Sequence, residues 1–298
     1  MDDSFINILV FYTFCGAAFF QLFYFLFFYL RLANYKPKEK KITQYPPVSV
    51  IICARNEDTN LKQHLPKILA QDYPAFEVIV VDDNSDDGTT EYLFFLSQKE
   101  PRLKRTKTGN SNRMMAGKKF PLTLGLKAAA NELVVLTDAD CYPATNQWLK
   151  QVVSGYATDN KAIVLGYGAY EKKPGRLNRR IRYETFLTAL NYLSFALAKL
   201  PYMGVGRNLS YQKGLFFSTN GFFDHRQIPS GDDDLFINKV ATKKNTEIVI
   251  SPDAFTYSPP KETREEWIEQ KTRHMSTARY YRAKHKFWLA LQPISHIL

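Results

Sequence analysis

The chain has 298 residues, 45% of them hydrophobic and 14% aromatic, enough to build a core for one large or two modest domains and too apolar for a disordered polymer. Its net charge of +11 asks for an anionic partner, whether nucleic acid, nucleotide phosphate or an anionic membrane, without choosing among them. Cys15, Cys53 and Cys141 are too few and too scattered for a disulfide framework or a zinc site, in keeping with a reducing compartment.

From Phe5 to Leu30 no side chain is charged, and about 20 apolar residues suffice to cross a bilayer as a helix. The chain opens with Asp2 and Asp3, where a cleaved signal peptide would carry basic residues. Arg31, Lys36, Lys38, Lys40 and Lys41 follow against the single acid Glu39, so the positive-inside rule places the remainder in the cytoplasm. Residues 1–33 thus read as one transmembrane anchor, the alternative being a core helix or hairpin, and 34–46 as a charged, proline-bearing linker.

Beyond the linker, "PVSVIICARNE", "FEVIVVDD" (76–83) and "ELVVLTDAD" (132–140) are short apolar runs rich in β-branched residues, and they alternate with helical stretches. This pattern predicts an α/β fold with a mostly parallel, Rossmann-like sheet flanked by helices. Ligands of such sheets bind beyond the carboxyl ends of the strands. There the sequence gathers Arg55, Asn56 and Glu57, then Asp82 and Asp83, then Asp138 and Asp140. No G-x-G-x-x-G turn and no Walker loop is present, so a nucleotide would be gripped by side chains and a metal. Asp138 and Asp140 stand two apart, which in extended backbone points both carboxylates the same way. Such a pair suits Mg²⁺ or Mn²⁺, although a solvated strand end explains an isolated D-x-D equally well.

Taken in order, "VSVIICARNE", "VVDDNSDDGT", "AGKKFPLTLGL" and "LTDAD" resemble the family-2 glycosyltransferases of the membrane-anchored bacterial type. These are inverting enzymes of the glycosyltransferase A-type fold that use nucleotide-diphosphate sugars. The resemblance runs from about Pro47 to Arg273. It implies a catalytic domain over 47–258 and a helical segment over 259–298 that carries a Q-x-x-R motif and a candidate membrane contact. It implies that Glu57, Asp82 and Asp83 hold the nucleoside, that Lys118 (with Lys119 as a candidate to share the role) faces phosphate, and that Asp138 and Asp140 bind the metal. Gly206 and Asn208 in "YMGVGRNLSYQK" match a segment that lines the sugar and acceptor pocket. Gln270 and Arg273, on one helical face, resemble the Q-x-x-R-W signature, with His274 replacing the tryptophan.

The triplet Asp232, Asp233 and Asp234 falls where the family carries its general base. One register selects Asp233 and another Asp232, while Asp234 is assigned to capping the helix that follows. Clustered carboxylates raise one another's proton affinity, which suits a base. "NRRIRYETFLTALNYLSFALAKLPYMG" (178–204) reads either as an interfacial helix, with Glu184, Thr188 and Asn191 on its polar face, or as a core helix. The implied partners are a nucleotide-diphosphate sugar, expected to be uridine-based, a lipid-linked or saccharide acceptor, and the membrane; nucleic acid is not expected. A processive polysaccharide synthase subunit and a catalytically silent nucleotide-sugar-binding scaffold stand as the alternatives.

Overall fold

A computed structural model describes residues 3–37, 42, 44–109, 115–157 and 160–297. The apolar runs become the strands β1 (Val48–Ala54), β2 (Phe76–Asp82) and β4 (Leu133–Asp138), with β3 (Leu103–Lys107) at the edge. β1 pairs in parallel with β2 on one side and β4 on the other, with Ile52 opposite Val80 and Thr137. Two short strands, β5 (Tyr142–Pro143) and β7 (Gly168–Tyr170), flank β10 (Thr256–Ser258) in a small second sheet. In the main sheet β6 (Ile163–Leu165), β8 (Leu209–Gln212) and β9 (Thr246–Ile248) complete the order β3-β2-β1-β4-β8-β6-β9, in which β8 runs antiparallel to both neighbours.

The central strands β1, β2 and β4 are mostly apolar because both of their faces are covered. Ile51, Ile79 and Leu136 belong to one core cluster, and Val50, Ile52, Val80 and Val135 to the other. Helix α4 (Lys119–Ala128) lies tight against the sheet at Gly125, where a Cβ would sit 2.6 Å from Ile51 Cγ2. That close approach fixes the helix start, and with it Lys118 and Lys119.

The N-terminal helix α1 (Asp3–Ala33) is the one described helix long and apolar enough to cross a membrane. Its two halves differ. Phe5, Leu9, Phe11, Phe14 and Phe19 are exposed, whereas Tyr24 and Phe28 are buried in the domain core. Phe28 stacks on Phe195 with centroids 4.2 Å apart. Tyr29 donates to Asn191 Oδ1 at 2.9 Å, and Gln292 Nε2 donates to the Tyr29 hydroxyl at 2.8 Å. From the π-helical turn at Phe25–Tyr29 onward the end of α1 sets one face into the domain, while Phe25, Leu26 and Leu30 keep the other face exposed. Lys38, Glu39, Lys40 and Lys41, on which the positive-inside reading leans, lie outside the described residues.

Helix α6 (Arg176–Leu197) sets one face into the core, as the core-helix reading expects, while Tyr183 and Phe186 on it are exposed. Ile181, Thr185, Ala189, Leu193 and Phe195 are buried, and Asn191 is occupied by α1. The segment 259–298 supplies α9 (Arg264–Met275) and α10 (Ala283–Ile297), and it shares the core of the domain before it: Trp267, Thr277, Tyr281 and His285 are buried.

Candidate active site

The ends of β1, β2 and β4 lie side by side because the register sets Cys53 opposite Asp138 and Ala54 opposite Asp82. Over them opens a cavity of about 810 Å³ whose walls include Glu57, Asp83, Lys118, Asp138, Asp140 and Asp232. Gly206, Asp233, Gln270 and Arg273 share its walls, so residues from seven parts of the chain meet in one space.

Asp138 ends β4, and Asp140 follows in a turn closed by the Cys141 N–H donating to the Asp138 carbonyl at 3.0 Å. The pair is brought together by this turn and not by extended backbone, as the sequence spacing suggested. Asp138, Asp140 and Cys141 each offer a ligand atom, all within 4.8 Å of one another. Burial, with the Asp140 charge beside it, pushes the Cys141 thiol well up, so it is no thiolate and the donors are the two carboxylates. Burial, then the Asp138 charge, raises the proton affinity of Asp140, a carboxylate that gains from a cation beside it. Two hard oxygen donors in a cavity with room for phosphate fit a Mg²⁺- or Mn²⁺-type ion.

Lys118 Nζ lies 2.6 Å from Asp138 Oδ1. Burial opposes both charges, but the pair outweighs it: Asp138 is held below the usual carboxylate range and Lys118 above the usual lysine range. Lys119 has a different job. Its side chain is fully buried, with Nζ donating to the Ile228 carbonyl at 2.6 Å and to that of Ser230. It fastens the loop in front of the aspartate triplet and does not share the role of Lys118, because the two carbonyls take its ammonium.

The three aspartates separate. Asp233, not Asp234, is the N-cap of α8 (Asp234–Val240): its Oδ1 accepts the Asp234 N–H and its Oδ2 the Gly206 N–H, each at 2.7 Å. Asp234 is the first helical residue and is buried against Thr277 and Tyr281. Asp232 lines the cavity, and apart from its own backbone N–H its carboxylate has no hydrogen-bond partner among the described residues. Burial, and then the neighbouring Asp233, pushes Asp232 up to about 6; burial and Asp234 push Asp233 to about 6.

Two residues chosen from the sequence face elsewhere. Asp82 turns into the loop after β2, where Oδ1 accepts the Ser85 N–H at 3.0 Å and Oδ2 the Thr90 hydroxyl, leaving the cavity wall to Asp83. Asn208 is buried, accepting from Trp148 Nε1 at 3.1 Å and donating to the Tyr167 and Ala254 carbonyls. It braces the sheet from behind and does not line the pocket. Conversely, Arg207, between the glycine and asparagine of that motif, is on the wall and was not singled out. Its guanidinium lies 4.3 Å from the Tyr170 ring centroid and donates to Ser258 Oγ at 2.9 Å. Its signal was a cation inside a glycine loop. Gln270 Oε1 accepts from the Tyr170 hydroxyl at 3.4 Å, so Tyr170 joins β7 to α9.

A mostly parallel sheet with paired carboxylates at a strand end, roofed by helices, defines the glycosyltransferase A-type fold. The family described as "Glycosyl transferase family 2" matches residues 49–223, and the chain belongs to it. That match stops before the aspartate triplet. The probable glycosyltransferase YdaM of Bacillus subtilis is 27% identical over 257 residues, 82% of this chain and 58% of that protein. The chain thus spans less than two thirds of this relative's length. Mannosyltransferase PcManGT from Pyrobaculum calidifontis, solved in complex with GDP-Man and Mn²⁺, is similar over 98% of this chain and 79% of its own, with a TM-score of 0.67 and 25% identity. S. aureus TarS 1–349 in complex with UDP-GlcNAc shares the fold over 73% of this chain and 60% of its own, with a TM-score of 0.54 and 22% identity.

Proposed function

We propose that this chain transfers a sugar, with inversion, from a nucleotide-diphosphate sugar to an acceptor hydroxyl, and that Asp232 is the general base. The observation that carries the reading is the carboxylate of Asp232, engaged by no other residue described and lining the cavity that also holds Asp138, Asp140 and Lys118. The acceptor O–H gives its proton to Asp232, its oxygen forms the bond to the anomeric carbon, and the carbon–oxygen bond to the diphosphate breaks with its electron pair leaving on the phosphate. Negative charge grows on that leaving group, and Lys118, Arg207 and Arg273 supply fixed positive charge on the cavity walls. Asp138 and Asp140 would hold Mg²⁺ or Mn²⁺, which when bound neutralises diphosphate charge. Glu57 and Asp83 lie at the nucleoside end, and Gly206 serves through its N–H, which fixes Asp233.

The exposed half of α1 suits a membrane anchor with the catalytic domain on the cytoplasmic side. A membrane-delivered acceptor is favoured over a free saccharide because Ala189 and Leu289 on the cavity wall come from α6 and α10, the helices packed against α1. The test is nucleoside-diphosphate release from a panel of UDP- and GDP-sugars with Mn²⁺ and membrane lipid supplied. Turnover should vanish with chelator. Asp232→Asn should lower it by about 10²-fold or more while retaining Mn²⁺-dependent nucleotide binding. No metal-dependent turnover across the panel would favour the silent scaffold.

A further inference from the structure

Asp232 follows Gly231, whose φ of +95° lies in the region that side-chain-bearing residues avoid, and whose Cβ would meet Leu235 Cδ1 at 2.5 Å. It is followed by α8, a helix of 7 residues, too short to hold its own start in place. A base there needs tethers on both sides. Upstream, Lys119 grips the carbonyls of Ile228 and Ser230.

Downstream the tether comes from the other end of the chain. Asp234 Oδ1 accepts the Leu235 N–H, while Oδ2 meets the hydroxyls of Tyr281, at 2.7 Å, and Thr277. One turn further along α8, Asn238 Oδ1 accepts the Arg282 N–H at 3.0 Å, and its Nδ2 lies 3.0 Å from His285 Nδ1. Residues 277–285 form the joint between α9 and α10, and α10 is fastened to α1 by Gln21 Nε2 donating to the Ser295 carbonyl at 2.7 Å.

We propose that Asp234, Thr277 and Tyr281 are positioning residues that aim the Asp232 carboxylate, so that the joint between α9 and α10 holds the base in place. This rests on reading Asp232 as the base. It gives the third acid of the triplet a task distinct from capping and from chemistry. It also makes turnover depend on the C-terminal helix pair, whose second member α10 is fastened to α1.

The test uses the full chain in lipid nanodiscs and the variants Thr277→Val, Tyr281→Phe, their double, and Thr277→Ser, which keeps the hydroxyl. All are assayed at a temperature where circular dichroism shows each folded. In the double variant kcat should fall roughly 10²-fold, the loss that a small misplacement of a reacting group produces, with donor KM and binding of UDP or GDP with Mn²⁺ held within about twofold. Thr277→Ser should restore the Thr277→Val loss. Hydrogen exchange should quicken at the amides of 231–236 in the double variant and stay slow in Thr277→Ser. A double variant with kcat within about twofold of the parent, donor KM rising in step with the loss of kcat, or unchanged exchange at 231–236 would overturn the proposal. If the double variant does not fold, Tyr281→Phe alone is read by the same criteria. Should the parent show no turnover, the transfer reading falls, while the exchange measurement still decides whether this network holds the segment.

Discussion

The proposed donor end of the cavity and the proposed base end are rigid for different reasons. Asp83, Asp138 and Asp140 stand at or just past the ends of parallel strands, in a register fixed by apolar burial on both faces. Asp232 stands on a loop before a short helix, and its neighbours Ser230, Asp233 and Asp234 are held by hydrogen bonds from Lys119, Gly206, Thr277 and Tyr281, residues far apart in the chain. The donor end takes its rigidity from the sheet; the base end borrows it contact by contact. A single substitution at the donor end should therefore remove one chemical function, and one at the base end should also loosen geometry.

The largest effect is expected at Asp140. Asp140→Asn leaves the turn after β4 intact but removes half of the carboxylate pair, so turnover should fall by about 10³-fold and nucleotide binding should lose its dependence on Mn²⁺. The fold should keep its melting temperature, as measured by circular dichroism. A substantial loss of stability here would break the contrast between the two ends.

Next comes the pH profile of the base. Burial and Asp233 push Asp232 to about 6, so kcat/KM should rise through pH 6 and level off above it, losing about tenfold per pH unit on the acid side. The same shift has a sign for stability. A carboxyl raised in the fold binds its proton more tightly folded than unfolded. The folded state therefore gains as pH falls from above 6 toward the ordinary value of 3.8, and the ionised group costs stability at pH 7. Asp232→Asn should then lower turnover by about 10²-fold or more and raise the melting temperature at pH 7. A flat acid limb in the parent would sink Asp232 as the base.

Lys118 and Lys119 sharpen the contrast between neighbours. Lys118→Met removes a cation from the cavity and should raise donor KM by about tenfold, and it should lower the melting temperature because Asp138 loses the ammonium 2.6 Å away. Lys119→Met leaves the carbonyls of Ile228 and Ser230 without their buried donor, at a cost of about 2 kcal/mol, and should lower kcat through the loop before Asp232. Reversal of the two phenotypes would exchange their roles.

Much of the donor end was legible in the sequence because it depends on local pattern. The strands announced themselves by uninterrupted Val and Ile, and polar residues at their ends mark the binding edge of any parallel sheet. The base end was legible as a triplet but not by member. Which aspartate caps α8 depends on whether Gly206 and Asp234 present their N–H groups to it, and which is buried depends on Thr277 and Tyr281, more than 40 positions away. Asn208 misled for the same reason. A buried amide that satisfies Trp148 and two carbonyls has the same sequence signature as one that holds a ligand. The apolar run of residues 5–30 gave the helix, but not the point at which Tyr24 and Phe28 leave exposed surface for the core.

The smallest expected effect separates Asp82 from Asp83, adjacent acids at the end of β2. Asp82 accepts from Ser85 and Thr90 in the turn that follows and lies 3.8 Å from Lys107 Nζ, so its carboxylate is spent on shaping the loop. Asp83 is positioned by its own N–H donating to the Ala54 carbonyl at 2.7 Å and by the Thr108 hydroxyl at 2.9 Å, and it lies on the cavity wall. Asp83→Asn should therefore raise donor KM by about fivefold, the weakening expected when one charged acceptor becomes neutral, while leaving kcat nearly unchanged. Asp82→Asn should leave donor KM within about twofold and cost about 1 kcal/mol of stability, because the amide keeps one acceptor and loses the other. Titrating both variants with UDP and with GDP in Mn²⁺ separates them. Equal weakening by the two substitutions would mean that the turn after β2 acts as one unit, and that the donor end, like the base end, depends on its hydrogen bonds as well as on the sheet.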